Sequence, residues 1–164
     1  MPSCKKCKIK GICMIDINEL KGHECTLEEI VKELQEEIGR DGVLKRPIVV
    51  DEETLLILDG HHRVEVLRRL GCKKVPAVLV DYWDPSIMVF SWKKNKRISK
   101  EVVLKAALSN VKLPPKTTKH MVVVGKELKH IESIQHRVDL PLNQLKRGDV
   151  AITLLKARRM RRDG

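Results

Sequence analysis

Leu55-Leu56-Ile57-Leu58-Asp59-Gly60-His61-His62-Arg63 is the stretch on which the fold turns. Four apolar residues read as a buried strand, Gly60 as a sharp turn, and Val64, Leu67 and Leu70 as the inward face of a helix that Gly71 ends. A strand running through a glycine into a helix leaves free backbone N–H groups at the helix start, where the macrodipole also favours anions. Gly60 lets a phosphate approach the backbone, His61 and His62 add donors, and Arg63 suits bidentate contact with phosphate. Asp59 has the opposite charge. A carboxylate beside phosphates holds a divalent metal or takes a proton, and Asp59 is placed for either. One histidine here would read as a surface group; the whole run reads as a phosphate corner.

Upstream, Pro47 to Val50 and Leu55 to Leu58 flank the acidic turn Asp51-Glu52-Glu53, a predicted hairpin. Ile12 to Ile17 reads as a strand. Thr26 to Ile38 carries Leu27, Ile30, Val31, Leu34 and Ile38 on one helical face, with a Thr26/Glu29 capping box and Gly39 as the stop. Downstream, Val75 to Asp81 and Ile87 to Trp92 read as strands, and Ser99 caps a helix to about Leu108. A loop from Pro114-Pro115 then runs through His120. Met121 to Val124 and Val150 to Leu155 read as strands around a polar helical stretch. Alternating strands and helices give an α/β class, α+β with a mixed sheet. The expected division is a cysteine-containing segment over 1–11, a core over 12–120, and a small C-terminal extension with a basic tail over 121–164.

The 164 residues are 42% hydrophobic but only 2% aromatic, so the core must be built from Leu, Val and Ile. No long uncharged apolar run and no apolar leader are visible, and a soluble cytoplasmic protein without membrane contact is expected. The net charge of +11 calls for a polyanionic partner. Lys93 to Lys119 carries nine basic residues against Glu101, and the tail Lys156 to Arg162 carries five against no acid. Nucleic acid bound through that tail is one reading; a solubilising extension is the other. Cys4, Cys7, Cys13, Cys25 and Cys72 make an odd count, so free thiols are expected rather than a disulfide framework. Cys4 and Cys7 have zinc-knuckle spacing, which Cys13 or Cys25 could complete as a structural zinc site.

From Ile12 to about His120 the chain resembles the ParB/sulfiredoxin-like superfamily, and within it the archaeal-type free L-serine kinases. The residues that carry the resemblance are His23-Glu24, Pro47-Ile48-Val49-Val50-Asp51, Asp59 to Arg63, Val89-Phe90-Ser91-Trp92, and Pro115-Lys116-Thr117-Thr118-Lys119-His120. The turn holds His61 where sulfiredoxin-like enzymes need a nucleophilic cysteine, which argues against sulfinic acid reduction. It also reads His61-His62-Arg63 where the CTP-binding ParB pattern has Glu-Arg-Arg.

The resemblance implies a ParB/sulfiredoxin-like core and phosphoryl transfer from ADP or ATP to free L-serine, giving O-phospho-L-serine. It makes Glu24 the catalytic carboxylate, on an exposed loop before the first helix, with His23 orienting it or touching phosphate. Asp59 is the metal-side group, for magnesium, and Gly60, His61, His62 and Arg63 hold the nucleotide. Lys116, Thr117, Thr118 and His120 meet phosphoserine and the phosphoryl group, and Trp92 either walls the substrate pocket or lies in the core. The alternative is a ParB-like protein that binds nucleic acid or nucleotide without this chemistry.

Overall fold

The computed structural model describes residues 12–93, 96–109 and 111–148. Cys4, Cys7, the strand expected over Val150 to Leu155 and the basic tail lie outside them. The polypeptide enters through β1 (Ile12–Asp16) and α1 (Glu28–Asp41), passes a two-residue β2 (Val43–Leu44), and forms β3 (Ile48–Asp51), β4 (Ile57–Asp59) and α2 (His61–Arg69). It returns through β5 (Lys74–Val80). These make a four-stranded mixed sheet ordered β1-β5-β3-β4, with β3 parallel to β5 and the other pairs antiparallel. Every residue of β3 is buried, and so is β5 from Val75 to Val80. Unbroken apolar runs of this kind are what a parallel pair at the centre of a sheet requires. α1 lies against α2.

The β3–β4 hairpin forms as expected, closed by Asp51. Its buried carboxylate accepts the Thr54 N–H (3.0 Å) and hydroxyl (2.6 Å) on one oxygen and the Tyr82 N–H (3.0 Å) on the other. Gly60 takes φ 114, and a Cβ there would fall 2.5 Å from Ile48 Cγ2, so only glycine makes the step from β4 into α2.

The second half adds β6 (Ile87–Ser91), α3 (Lys100–Leu108), β7 (Thr118–Val124) and β8 (Glu127–His130), then β9 (Leu140–Pro141) and α4 (Leu142–Arg147). β6, β7 and β8 form an antiparallel sheet in that order, and β2 pairs with β9. β7 runs through Met121 unbroken. Ser99 caps α3 by accepting the Glu101 N–H. No helix among the described residues is long and apolar enough to cross a membrane.

Five expectations are corrected. α1 starts at Glu28 with no side-chain cap, so the Thr26/Glu29 box does not form; the Leu27 N–H is held instead by His62 Nε2 at 3.1 Å. α1 runs through Gly39 and ends where Gly42, at φ 70, takes the left-handed conformation that closes a helix. The loop expected through His120 gives way at Thr118 to β7, whose inward positions Thr118 and His120 are polar and hid the alternation. The polar stretch after Val124 is helical only over a 3-10 turn at Ile131–Ile134 and α4, because a turn, β8, a loop over 135–139 and β9 take the rest. Cys13 is disulfide-bonded and fully buried in β1, which corrects the expectation of free thiols and withdraws its sulfur from any zinc set. Cys25 and Cys72 are free.

Candidate functional site

A cavity of about 450 Å³ opens where the start of α2 faces two loops. Asp59, Gly60, His61 and His62 form one wall, Glu24 and Ile30 a second, and Lys116, Thr118 and Trp92 a third. Eight of the expected site residues therefore share one space, though they come from four separate stretches of chain.

The loop before α1 is fixed to the loop before β7. Cys25 N–H donates to Leu113 O (2.9 Å), and Leu113 N–H to His23 O (2.8 Å). Between these contacts the Glu24 side chain turns inward with only 10% of its surface exposed, which corrects the expectation of a carboxylate free on an open loop. Its Oε1 accepts the Lys116 N–H at 2.9 Å; its Oε2 accepts the Thr118 N–H at 2.8 Å and the Thr118 hydroxyl. Burial alone would push this carboxyl up, but the His23 ring and the Thr118 hydroxyl and amide outweigh it and hold it at about 2.

His23 is fully buried behind this arrangement, its Nε2 2.9 Å from Thr118 Oγ1. The threonine hydroxyl has a single proton, which goes to Glu24, so its oxygen accepts from His23 Nε2–H. His23 thus orients Glu24 through Thr118.

The two corner histidines serve as acceptors. His61 Nε2 takes the His23 N–H at 3.1 Å, and His62 Nε2 takes the Leu27 N–H at 3.1 Å. Each ring therefore carries its proton on Nδ1. Burial, then the neighbouring His23, pushes His61 down to about 3, and burial lowers His62 as well. Both are neutral near pH 7, so each offers a ligand one N–H and no charge.

Arg63 points away from the cavity. Its guanidinium donates to Pro47 O (2.5 Å), Arg46 O (3.3 Å) and Gln135 Oε1 (3.3 Å) and pairs with Asp59 at 3.6 Å, tying α2 to the entry of β3. Asp59 keeps its place in the cavity wall because Gln135 Nε2 donates to its Oδ2 at 2.6 Å. Thr117 closes its own turn, Oγ1 to Pro114 O at 2.5 Å. His120 lies beneath the cavity, fully enclosed, with Nε2 3.0 Å from the Tyr82 hydroxyl; burial drives its pKa well below the usual histidine value. Arg63, Thr117 and His120 are thus the three expected contact residues that the cavity does not include. Trp92 is on the wall and not in the core, 48% exposed, with Lys119 Nζ 5.1 Å above its ring. Among the described residues no three His, Cys, Asp or Glu side chains converge to hold a metal ion.

Sequence reasoning missed Gln135 and Tyr82. Gln135 is a lone amide in a segment without recognisable pattern, and no local signal marks it. Tyr82 was visible as one of four aromatics clustered between Tyr82 and Trp92, but its pairing with His120 depends on the antiparallel pairing of β6 with β7.

Residues 5–96 match the ParB N-terminal domain family. An ATP-dependent L-serine kinase of Staphylothermus marinus is 37% identical over 83 residues, 48% of this chain and 33% of that protein. The ADP-dependent L-serine kinase SerK of Thermococcus kodakarensis is 30% identical over 82 residues, 48% of this chain and 34% of that protein. The chain spans about a third of the length of these curated relatives. In fold it is similar to a free serine kinase solved with AMP, at TM-score 0.67 and 17% identity over 82% of this chain and 93% of that one. With more than half of its residues inside the match, the chain belongs to the ParB N-terminal domain family.

Proposed function

We propose that the protein is a nucleotide-dependent kinase of free L-serine, forming O-phospho-L-serine with ADP or ATP as donor. The observation that carries the reading is the opposition, across one cavity, of a buried carboxylate and a helix start: Glu24 faces Gly60-His61-His62. The helix start supplies N–H donors and a positive dipole end for phosphates, and Glu24 is the group that would take the serine hydroxyl proton. Such transfers gain their rate from positioning and charge neutralisation rather than covalent chemistry. The names of the two kinase relatives, one using ATP and one ADP, support the reading and leave either donor open.

Asp59, Gly60 and the His61 and His62 N–H groups fit the phosphate side; Trp92, Lys116 and Thr118 fit the amino acid side. Arg63 acts on the phosphate side through Asp59, by holding that carboxylate in register. A magnesium ion carried by nucleotide phosphates needs only one or two protein carboxylates, and Asp59 fits that need; the ion would neutralise charge on the transferring group. Cys4 and Cys7 of the structural zinc site, and the basic tail that carries the nucleic-acid reading, lie outside the described residues.

The test is formation of O-phosphoserine from L-serine, magnesium and ADP or ATP. Product with one nucleotide, with kcat reduced at least a hundredfold in Glu24→Gln, is expected. Absence of product with either donor overturns the reading.

A further inference from the structure

Three of the about four lone-pair positions on the Glu24 carboxylate are already engaged. Three donors from one loop, the Lys116 N–H, the Thr118 N–H and the Thr118 hydroxyl, close on its two oxygens. They are held there independently of Glu24. Lys116 takes the left-handed conformation at φ 58, a geometry in which neighbouring N–H groups line a small concavity for anions. The Thr117 hydroxyl closes the turn on Pro114 O, and His23 fixes the Thr118 hydroxyl from behind. Donors so arranged do not distinguish the carboxylate of Glu24 from any other oxyanion of similar size.

We propose that Glu24 occupies the 116–118 donors only until a carboxylate or phosphate oxygen set of the substrate or product displaces it, so that the loop works as an exchangeable oxyanion nest. The proposal rests on the kinase reading for what Glu24 does next. Once the ligand's oxygens take the three donors, the Glu24 carboxylate is released toward the cavity with its ordinary basicity restored. Proton abstraction then waits for a loaded site. A carboxylate that must leave first also weakens the observed affinity, by the inverse of the fraction of time the nest is free.

The test is titration calorimetry with O-phospho-L-serine, inorganic phosphate and L-serine on the intact chain and on Glu24→Ala, with Asp59→Asn as a second acid removed from the same cavity. Glu24→Ala should bind at least one of the three about tenfold more tightly, as expected if Glu24 fills the nest about nine-tenths of the time. Gain with both phosphate compounds assigns the nest to phosphate, and gain with serine alone assigns it to the carboxylate. Unchanged or weaker binding of all three overturns the proposal, as does an equal gain in Asp59→Asn, which would mean simple relief of negative charge. If Glu24→Ala does not fold, carboxyl NMR of the ¹³C-glutamate-labelled wild type decides: the Glu24 titration must rise from about 2 when the tightest of the three ligands saturates, and a fixed titration overturns the nest. O-phosphoserine formation is followed separately. Exchange without product removes the kinase reading alone, and product without exchange removes the nest alone.

Discussion

His61 Nε2 accepts the backbone N–H of His23 at 3.1 Å, so the first histidine of the phosphate corner braces a loop 38 residues away. The neutral ring is what makes this bond, and protonation at Nε2 destroys the acceptor. The folded protein holds His61 at about 3 against an ordinary 6.5. Between those limits the unfolded chain binds a proton that the folded one does not, so stability rises with pH across that window. Chemical denaturation between pH 7 and 5 should show a loss of about 1.4 kcal/mol per pH unit from this residue below 6.5. His61→Gln, which keeps an acceptor but cannot titrate, should flatten the slope; an unchanged slope would disprove the brace.

Gly60→Ala should be among the most damaging single substitutions. It puts a Cβ 2.5 Å from Ile48 Cγ2 and forces alanine to φ 114. Overpacking and left-handed strain together are expected to cost about 2–5 kcal/mol, measured as a shift in urea midpoint. A loss below 1 kcal/mol would mean that the β4–α2 step can relax.

Gln135→Ala should leave Asp59 and Arg63 without their shared amide partner. Outer partners of this kind typically control about 10–100-fold in affinity or activity. The expected result is a rise in nucleotide KM of at least tenfold with serine KM nearly constant. Equal effects on both substrates would show that Gln135 serves the cavity as a whole.

Trp92→Ala should separate binding from stability. The ring is 48% exposed, so unfolding free energy should change by about 0.5 kcal/mol or less, while serine KM rises several-fold. The sequence holds only one other tryptophan, Trp83. In Trp83→Phe, serine or phosphoserine should therefore change the fluorescence of Trp92, and a flat titration would take Trp92 off the pocket wall.

What the sequence made legible was local. Strand, glycine and helix around Asp59 to His62 follow from neighbouring residues, and so do the β3–β4 hairpin and the Ser99 cap. The start of β7 was not, because its inward positions are Thr118 and His120 and their burial is compensated by groups far along the chain: Glu24 and His23 for one, Tyr82 for the other. The capping box failed for the same reason, since His62 holds the Leu27 N–H ahead of the first turn of α1. Glu24 could be named only from the family resemblance that His23-Glu24 helps to carry, and its inward turn depends on residues more than 90 positions away. Arg63 was read as a phosphate ligand from the motif, and only the position of Gln135 and the Pro47 carbonyl shows where its donors are spent.

The dependence of Glu24 on Lys116 and Thr118 sets an order of assembly. The phosphate corner and the loop bearing Glu24 belong to the first half of the polypeptide as it leaves the ribosome, whereas the donors that settle Glu24 arrive with β7, after α3 has been made. Closing so long a loop is the slow kind of step in folding. Until β7 pairs with β6 the nascent chain has the β4–α2 step but an unsettled Glu24, and Asp59 waits still longer for Gln135, so the site is completed only when both later segments are in place.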